Sequence, residues 1–244
     1  MAAKKKVSET QTAGENVYKY LRTSIIELRV KPGQTINMNE LGEFLKVSRS
    51  PIRDALIQLG KDGLVETTPQ KGTIVSKIDV QRVKDERFLR ACIEERIMEE
   101  FLNIYQPSHI ESLRKILEEQ KKAFDAREFL RLDDAFHSVF FDVTNRPYCL
   151  DAVLNMSSHY YRIRLLSLSE SGIRQLSLSQ HEEILKLVLE KDISKIKKLL
   201  EKHIVDKDDE ENQMKREYPD LFTGIVLANP QRQKIWEKDF LSTV

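Results

Sequence analysis

Cysteine, glycine and proline are all scarce in this chain, and each scarcity removes a class of structure. The two cysteines, Cys92 and Cys149, have no CxxC spacing, which excludes a disulfide framework and a thiolate zinc site. Both are expected to pack as small apolar groups. Eight glycines and seven prolines in 244 residues are too few for a turn-rich sandwich or a low-complexity chain. With 40% hydrophobic and 32% charged residues, the composition is that of a soluble, helix-rich protein long enough for two domains. No apolar run reaches membrane-spanning length, and Lys4-Lys5-Lys6 is followed by Ser, Thr, Gln and Glu rather than by the apolar core of a secretion signal. The expected compartment is the cytoplasm, with no membrane partner.

An excess of one charge is missing too: the net charge is +1, but it is unevenly spread. Residues 1–80 hold 13 Lys/Arg against 9 Asp/Glu, so the N-terminal part is the one expected to face phosphate.

The apolar spacing then organises the chain. Residues 1–13 lack periodicity and read as a flexible tail. Val17, Leu21, Ile25 and Leu28 predict a helix over 15–29, ended by Lys31-Pro32-Gly33. Thr35-Ile36 is a very short strand candidate, and Asn39 to Leu45 a second helix with Leu41, Phe44 and Leu45 inward. A turn through Val47 leads into a third helix reaching Gly60, with Ser48 or Ser50 as N-cap and Pro51 in the first turn. Ile52, Ala55, Leu56 and Leu59 form its buried stripe, leaving Arg49, Ser50 and Arg53 outward. Leu64–Thr67 and Thr73–Ser76 are β-rich runs around Pro69-Gln70-Lys71-Gly72. Three helices and a hairpin make a winged helix-turn-helix.

Such a third helix fits the major groove, where its N-terminal side chains reach base edges first. Arg49 and Arg53, four apart, share a face, and arginine can fork two hydrogen bonds onto guanine. Ser48 and Ser50 suit phosphate contacts that set the docking register. Lys71 at the hairpin tip can reach the backbone or minor groove, and Gly72 permits close approach.

From Asp79 onward strand signals vanish. Helices are expected at about 80–105, 108–124, 126–144, 148–169, 179–190 and 193–217, started by capping patterns such as Asp125-x-x-Glu128 and by Asp192. In the third of these, Phe129, Asp133, Phe136, His137 and Phe140 share one apolar stripe. Burying a lone carboxylate costs several kcal/mol unless it is paired or binds a metal. His203 repeats the pattern beside Ile196, Leu199 and Leu200, and His181 lies next to Ile184 and Leu185. One Asp and three His brought together make a nitrogen-and-oxygen site suited to a divalent transition metal, Zn, Ni, Mn or Fe. His109 and His159 do not join this set.

Two stretches resemble known families. Leu41-Gly42-Glu43-Phe44-Leu45-Lys46-Val47-Ser48-Arg49-Ser50-Pro51-Ile52-Arg53-Asp54-Ala55-Leu56, then Leu59, Gly63-Leu64-Val65 and Gly72, closely resemble the DNA-binding domain of the GntR family of bacterial regulators. The resemblance implies a homodimer on a short inverted repeat of double-stranded DNA, touched by Ser48, Arg49, Ser50, Arg53 and the wing tip Gln70, Lys71 and Gly72. Some members carry an arginine where this chain has Asn39, so no contact is assigned there. Asp133-x-x-Phe136-His137, Thr144-Asn145-Arg146-Pro147, Gln180-His181-Glu182-Glu183-Ile184, Lys191-Asp192 and Lys202-His203-Ile204 look like the FCD effector domain of the FadR-like branch. That resemblance implies that Asp133, His137, His181 and His203 hold a metal whose open positions accept a small carboxylate effector. Arg90, in an Arg90-x-x-x-Glu94 motif on the domain's first helix, would lie near that pocket, and Arg162 or Arg164 could pair the effector's other charge.

The expected fold is therefore mainly α: a flexible tail over 1–13, a winged helix-turn-helix over 14–78, an all-helical, antiparallel FCD-type effector and dimerisation domain over 79–218, and an extension over 219–244 in which Ile235, Trp236, Phe240 and Leu241 could form a short amphipathic helix. The expected function is transcriptional regulation tuned by a carboxylate at the metal. Two alternatives stand beside it: a purely structural metal or none, and a metal-dependent enzyme fused to a DNA-binding module. The enzyme lacks a convincing general base beyond the ligands, Asp134 and Glu182 being the only candidates. The residues do not decide between repression and activation.

Overall fold

The computed structural model describes residues 12–68 and 72–224, and the chain is mainly α, a winged helix-turn-helix followed by a helical bundle. The described residues cluster into two compact units, one including Arg29–Ser76 and α1 up to Ile25, the other including Ile26–Leu28 and residues 77–224.

In the first unit, α1 (Ala13–Ile26) buries Val17, Leu21 and Ile25. It stops short of the expected Arg29: Leu28 takes φ 56°, and the amides of Arg29 and Val30 both turn back to the Ser24 carbonyl, just ahead of Pro32. β1 (Thr35–Ile36) leads to α2 (Met38–Leu45), capped by Asn37, whose side chain accepts from the Asn39 amide at 3.0 Å. Lys46 in the left-handed region ends α2. Phe44, expected inward, is 40% exposed; only Leu41 of this short helix is fully buried. α3 (Arg49–Lys61) follows, with Ser48 at the N-cap and Ile52, Ala55, Leu56 and Leu59 buried as their spacing required. Gly42 eases the close approach of α2 to the turn, since a Cβ there would sit 3.2 Å from the Val47 carbonyl oxygen, closer than ordinary contact. β2 (Val65–Thr68) and β3 (Gly72–Val75) form an antiparallel hairpin, and β1 pairs with the other edge of β3. Both strands sit one residue from their expected positions; just past β3, Ser76 still bonds its amide to Leu64 O, the next residue in register, and its hydroxyl to Gly63 O.

The second unit is built on α4 (Val80–Ile104), started by Asp79, whose carboxylate accepts from the amides of Gln81 and Arg82. α5 (Pro107–Gln120) and α6 (Ala126–Val143) follow, the latter capped by Asp125 as its motif predicts. Phe101, Phe136, Phe140 and Phe141 fill the centre, with Phe101 and Phe136 each edge-on to Phe140 at 4.9 and 5.4 Å between ring centres. The single helix expected over 148–169 is two, α7 (Pro147–Met156) and α8 (Ser158–Ser167). Its break has a tertiary cause: the buried Glu86 carboxylate of α4 accepts from the amides of His159 and Tyr160, capping a new helix start. α9 (Ser171–Glu190) begins earlier than its Ser179 signal, which falls mid-helix. α10 (Ile193–Leu200) runs into a π-helical turn (Glu201–Val205); after a two-residue gap come α11 (Asp208–Glu217) and a 3₁₀ turn (Pro219–Leu221). Cys92, expected to pack inside, is exposed because Ala91, Glu94, Ile97 and Met98 set the inward phase of α4; Cys149 is half-buried.

The end of this unit returns to its beginning. Ile78 donates its amide to Leu221 O at 2.8 Å and accepts from the Thr223 amide at 3.0 Å, with Ile78 and Phe222 both fully buried. The amphipathic helix expected around Trp236 lies outside the described residues. Among those described, no helix is long and apolar enough to cross a membrane.

Candidate DNA-reading helix and buried metal-ligand cluster

The phase of α3 separates its two jobs. With Ile52, Ala55, Leu56 and Leu59 turned into the unit's core, Ser48, Arg49, Ser50 and Arg53 are all exposed at the start of the helix. Arg49 and Arg53 line an open groove bounded by Asn39 of α2 and by Thr67 and Gly72 of the hairpin. Gly72 takes φ +94° with open space around it, so it is the backbone conformation that calls for glycine there. Gln70 and Lys71 lie outside the described residues.

The bundle brings Asp133 and His137 of α6, His181 of α9 and His203 of the π turn together, with one ligand atom from each inside a 4.8 Å span and all four buried. Nε2 of His203 is 3.3 Å from that of His137 and 3.2 Å from that of His181, and Asp133 Oδ1 is 3.4 Å from His181 Nε2. Each outer ring nitrogen is engaged: His137 Nδ1 with Glu94 Oε2 at 2.7 Å, His181 Nδ1 with Gln120 Oε1 at 2.9 Å, and His203 Nδ1 with Gln180 Oε1 at 2.8 Å. An Nδ1–H donated to each oxygen leaves every Nε2 lone pair bare and pointing inward, the orientation that outer partners impose on metal-bound histidines. Three converging lone pairs repel unless a proton or cation lies between them. Metal–nitrogen bonds of about 2.1 Å would put cis donors roughly 3.0–3.4 Å apart, so the donor set fits a metal of this kind.

Electrostatics hold His181, His203 and Asp133 in the protonation states a metal requires. Burial pushes His181 down to about 3, against the opposing charge of Asp133, and drives His203 well below the usual imidazole range. Burial alone would raise Asp133, but Arg164 and the three imidazoles hold it well below the normal carboxylate value. For Glu94 the same contest, burial against Arg90 and then His137, ends at about 2. Phe136 stacks on His181 at 4.5 Å, walling the cluster from solvent.

The three arginines expected at an effector pocket separate. Arg164 of α8 forks onto Asp133 and Asp134, the latter at 2.7 Å, and Arg90 donates to Glu94 at 2.6 Å, so both stand within one residue of the cluster. Arg162 is not brought there. Two residues from Arg164, it projects to the other side of α8, where it is fully buried against Ser158 O and His159 Nδ1. His159 is structural, its Nδ1 also accepting from the Asp79 amide. A cavity of about 40 Å³ opens beside Asp133 and His203, lined also by Tyr160, Arg164 and Ser177. The orienting role of Gln120 escaped the sequence reading, although it continues the buried stripe Ile110, Leu113, Leu117, where a polar amide is out of place.

Comparison with known proteins gives a consistent pattern. Residues 13–75 match "Bacterial regulatory proteins, gntR family" and residues 87–206 match the FCD domain. An HTH-type transcriptional regulator in an unstable DNA locus of Streptomyces ambofaciens is 31% identical over 230 residues, 93% of this chain and 98% of the relative. The HTH-type transcriptional repressor RspR of Escherichia coli K12 is 25% identical over 226 residues, 91% of this chain and 99% of its own. A crystal structure of a GntR transcriptional regulator from Rhodococcus sp. RHA1 superposes with a TM-score of 0.70 at 19% identity, covering 85% of this chain and all of the other.

Proposed function

The chain belongs to the gntR family of bacterial regulatory proteins, as a DNA-binding transcriptional regulator with an FCD domain, and from that premise we propose that a small carboxylate, bound at a divalent transition metal, tunes its affinity for DNA. The observation that carries the reading is the convergence of three imidazole Nε2 atoms and one carboxylate, each outer imidazole nitrogen facing an oxygen.

Asp133, His137, His181 and His203 would hold the metal. When bound, it supplies a Lewis-acid centre with positions left for an organic acid. Arg164 balances the charge of Asp133, and the Arg90–Glu94 pair fixes the ring of His137. A ligand that binds two arrangements of this bundle unequally biases the DNA-bound form, and couplings of about 1–3 kcal/mol are typical. On DNA, two copies would dock on an inverted repeat, Arg49 and Arg53 reading base edges while Ser48, Ser50, Gln70, Lys71 and Gly72 fix the register. No catalytic role is proposed for the cluster.

A purely structural metal is the second reading, favoured by the cavity's small size, room for a few waters only. The two are separated by measuring metal content and then operator affinity, by fluorescence anisotropy at fixed salt, across a panel of carboxylic acids. Tuning by acid predicts metal at about one per chain and a shift of fivefold or more with at least one acid. Metal bound with no response to any acid supports the structural reading; absence of metal defeats both.

A further inference from the structure

The small cavity beside the cluster and a much larger cleft outside it share two wall residues, Lys207 and Glu210. The outer cleft, about 810 Å³, opens between α4, α9 and the start of α11, and is lined by Phe88, Leu176 and Lys202 among others. The inner one is bounded by Asp133 and His203. Lys207 and Glu210 pair at 2.6 Å across the boundary, directly after the π turn that carries His203, with side chains 12% and 20% exposed. This ion pair forms the stretch of wall that the two cavities have in common.

The charges on the inner wall are not equivalent. Arg164 has both prongs of its guanidinium on carboxylates, Asp133 and Asp134, and is committed. Lys207 holds a single carboxylate, and that partner is the more exposed of the two, so it can turn toward solvent without remaining buried and unpaired. An anionic group that reaches Lys207 can therefore compete with Glu210 for the ammonium. Only a ligand with a second anionic group, beyond the one turned toward His203 and Asp133, would make that exchange.

We propose that Lys207 is the specificity-determining residue for the ligand's second carboxylate, that the Lys207–Glu210 pair is the gate it displaces, and that the ligand class is a small dicarboxylate. The proposal rests on the metal-and-carboxylate reading above and narrows it. A monocarboxylate has no second charge with which to replace Glu210 and gains nothing from Lys207. Glu210 competes with the ligand, so its neutralisation helps a dicarboxylate and not a monocarboxylate.

Calorimetric titration of the metal-loaded full chain with succinate and with butyrate, which match in length and differ in one charged end, tests this. Wild type should prefer succinate by at least tenfold. Lys207→Gln should erase most of that preference while butyrate affinity stays within about twofold and metal content is unchanged; Lys207→Arg should keep it. Glu210→Gln should tighten succinate severalfold. Equal binding of the two acids by wild type, or a preference surviving in Lys207→Gln, overturns the proposal while leaving the metal reading intact. A chain that takes up no metal, checked by elemental analysis of the same samples, overturns the reading beneath it.

Discussion

Replacing Gln180 by leucine isolates the outer hydrogen bond that aims His203. In the wild-type chain, Gln180 Oε1 faces His203 Nδ1 at 2.8 Å in a buried setting, which places the ring proton on Nδ1 and leaves Nε2 free. Leucine fills similar space without an acceptor. A metal-bound His203 must then bury an unsatisfied N–H, at about 1–3 kcal/mol. The metal-free protein has an escape: with the proton on Nε2, the ring can donate to His137 or His181, whose Nε2 atoms lie 3.3 and 3.2 Å away. The penalty therefore falls on the metal-bound form alone, predicting a loss of roughly 5–150-fold in affinity, in line with the effect of other outer partners. Competition against a chromogenic chelator reads this directly, with thermal melting of the metal-free proteins as the control for folding. Gln180→Glu, which keeps an acceptor, should bind metal at least as well as wild type. A leucine variant that folds and binds metal within twofold of wild type would refute the assignment of Nε2 as the ligand atom.

Arg49→Ala should weaken operator binding by about 1–3 kcal/mol at unchanged metal content, and because Arg49 is exposed its melting should match wild type; a clear drop in melting temperature would argue that the side chain supports the fold instead. Ile52→Ala, at a fully buried position of the same helix, should cost about 2–5 kcal/mol in urea denaturation, and a smaller loss would mean a loosely packed unit. The metal-free protein should lose stability in acid. With His181 at about 3 when folded and near 6.5 when unfolded, the unfolded chain takes up the proton first, so this contribution is whole above about pH 6.5 and fades as the pH falls toward 3. Between pH 7 and pH 5 it amounts to about 2 kcal/mol, and equal unfolding free energies at those two values would contradict the burial of a neutral ring.

The parts of the molecule ruled by local spacing were legible in the chain itself. Ile52, Ala55, Leu56 and Leu59 announce both the buried side of α3 and, by subtraction, the exposed one with Arg49 and Arg53. Asp133 and His137 were conspicuous because charge interrupts a run of phenylalanines on the buried side of α6. What spacing misses is whatever a distant residue imposes. The break between α7 and α8 depends on Glu86 accepting amides more than seventy residues away in sequence. The π turn at His203 leaves no mark in a pattern read as one helix over 193–217, yet it shapes the position of a ligand. Arg162 and Arg164 look interchangeable by composition; the helix turn between them sends one to the cluster and the other to Ser158 and His159.

The pairing of Ile78 with residues 221–223 bears on how any signal could leave the bundle by way of residues 77–79. Ser76 is fastened to the wing through Gly63 and Leu64, and Ile78 is fastened to Leu221 and Thr223, so Lys77 is the whole of the free tether on that route. A single residue offers two soft torsions and about 7 Å of reach between its neighbours, so only a displacement at Ile78 that exceeds this reach must draw Ser76 with it. Splicing Gly-Ser-Gly after Lys77 would add about 10 Å of loose chain and should leave metal and operator binding in place while silencing the influence of one on the other. Operator affinity that still answered to the ligand in such a protein would mean that the message travels elsewhere.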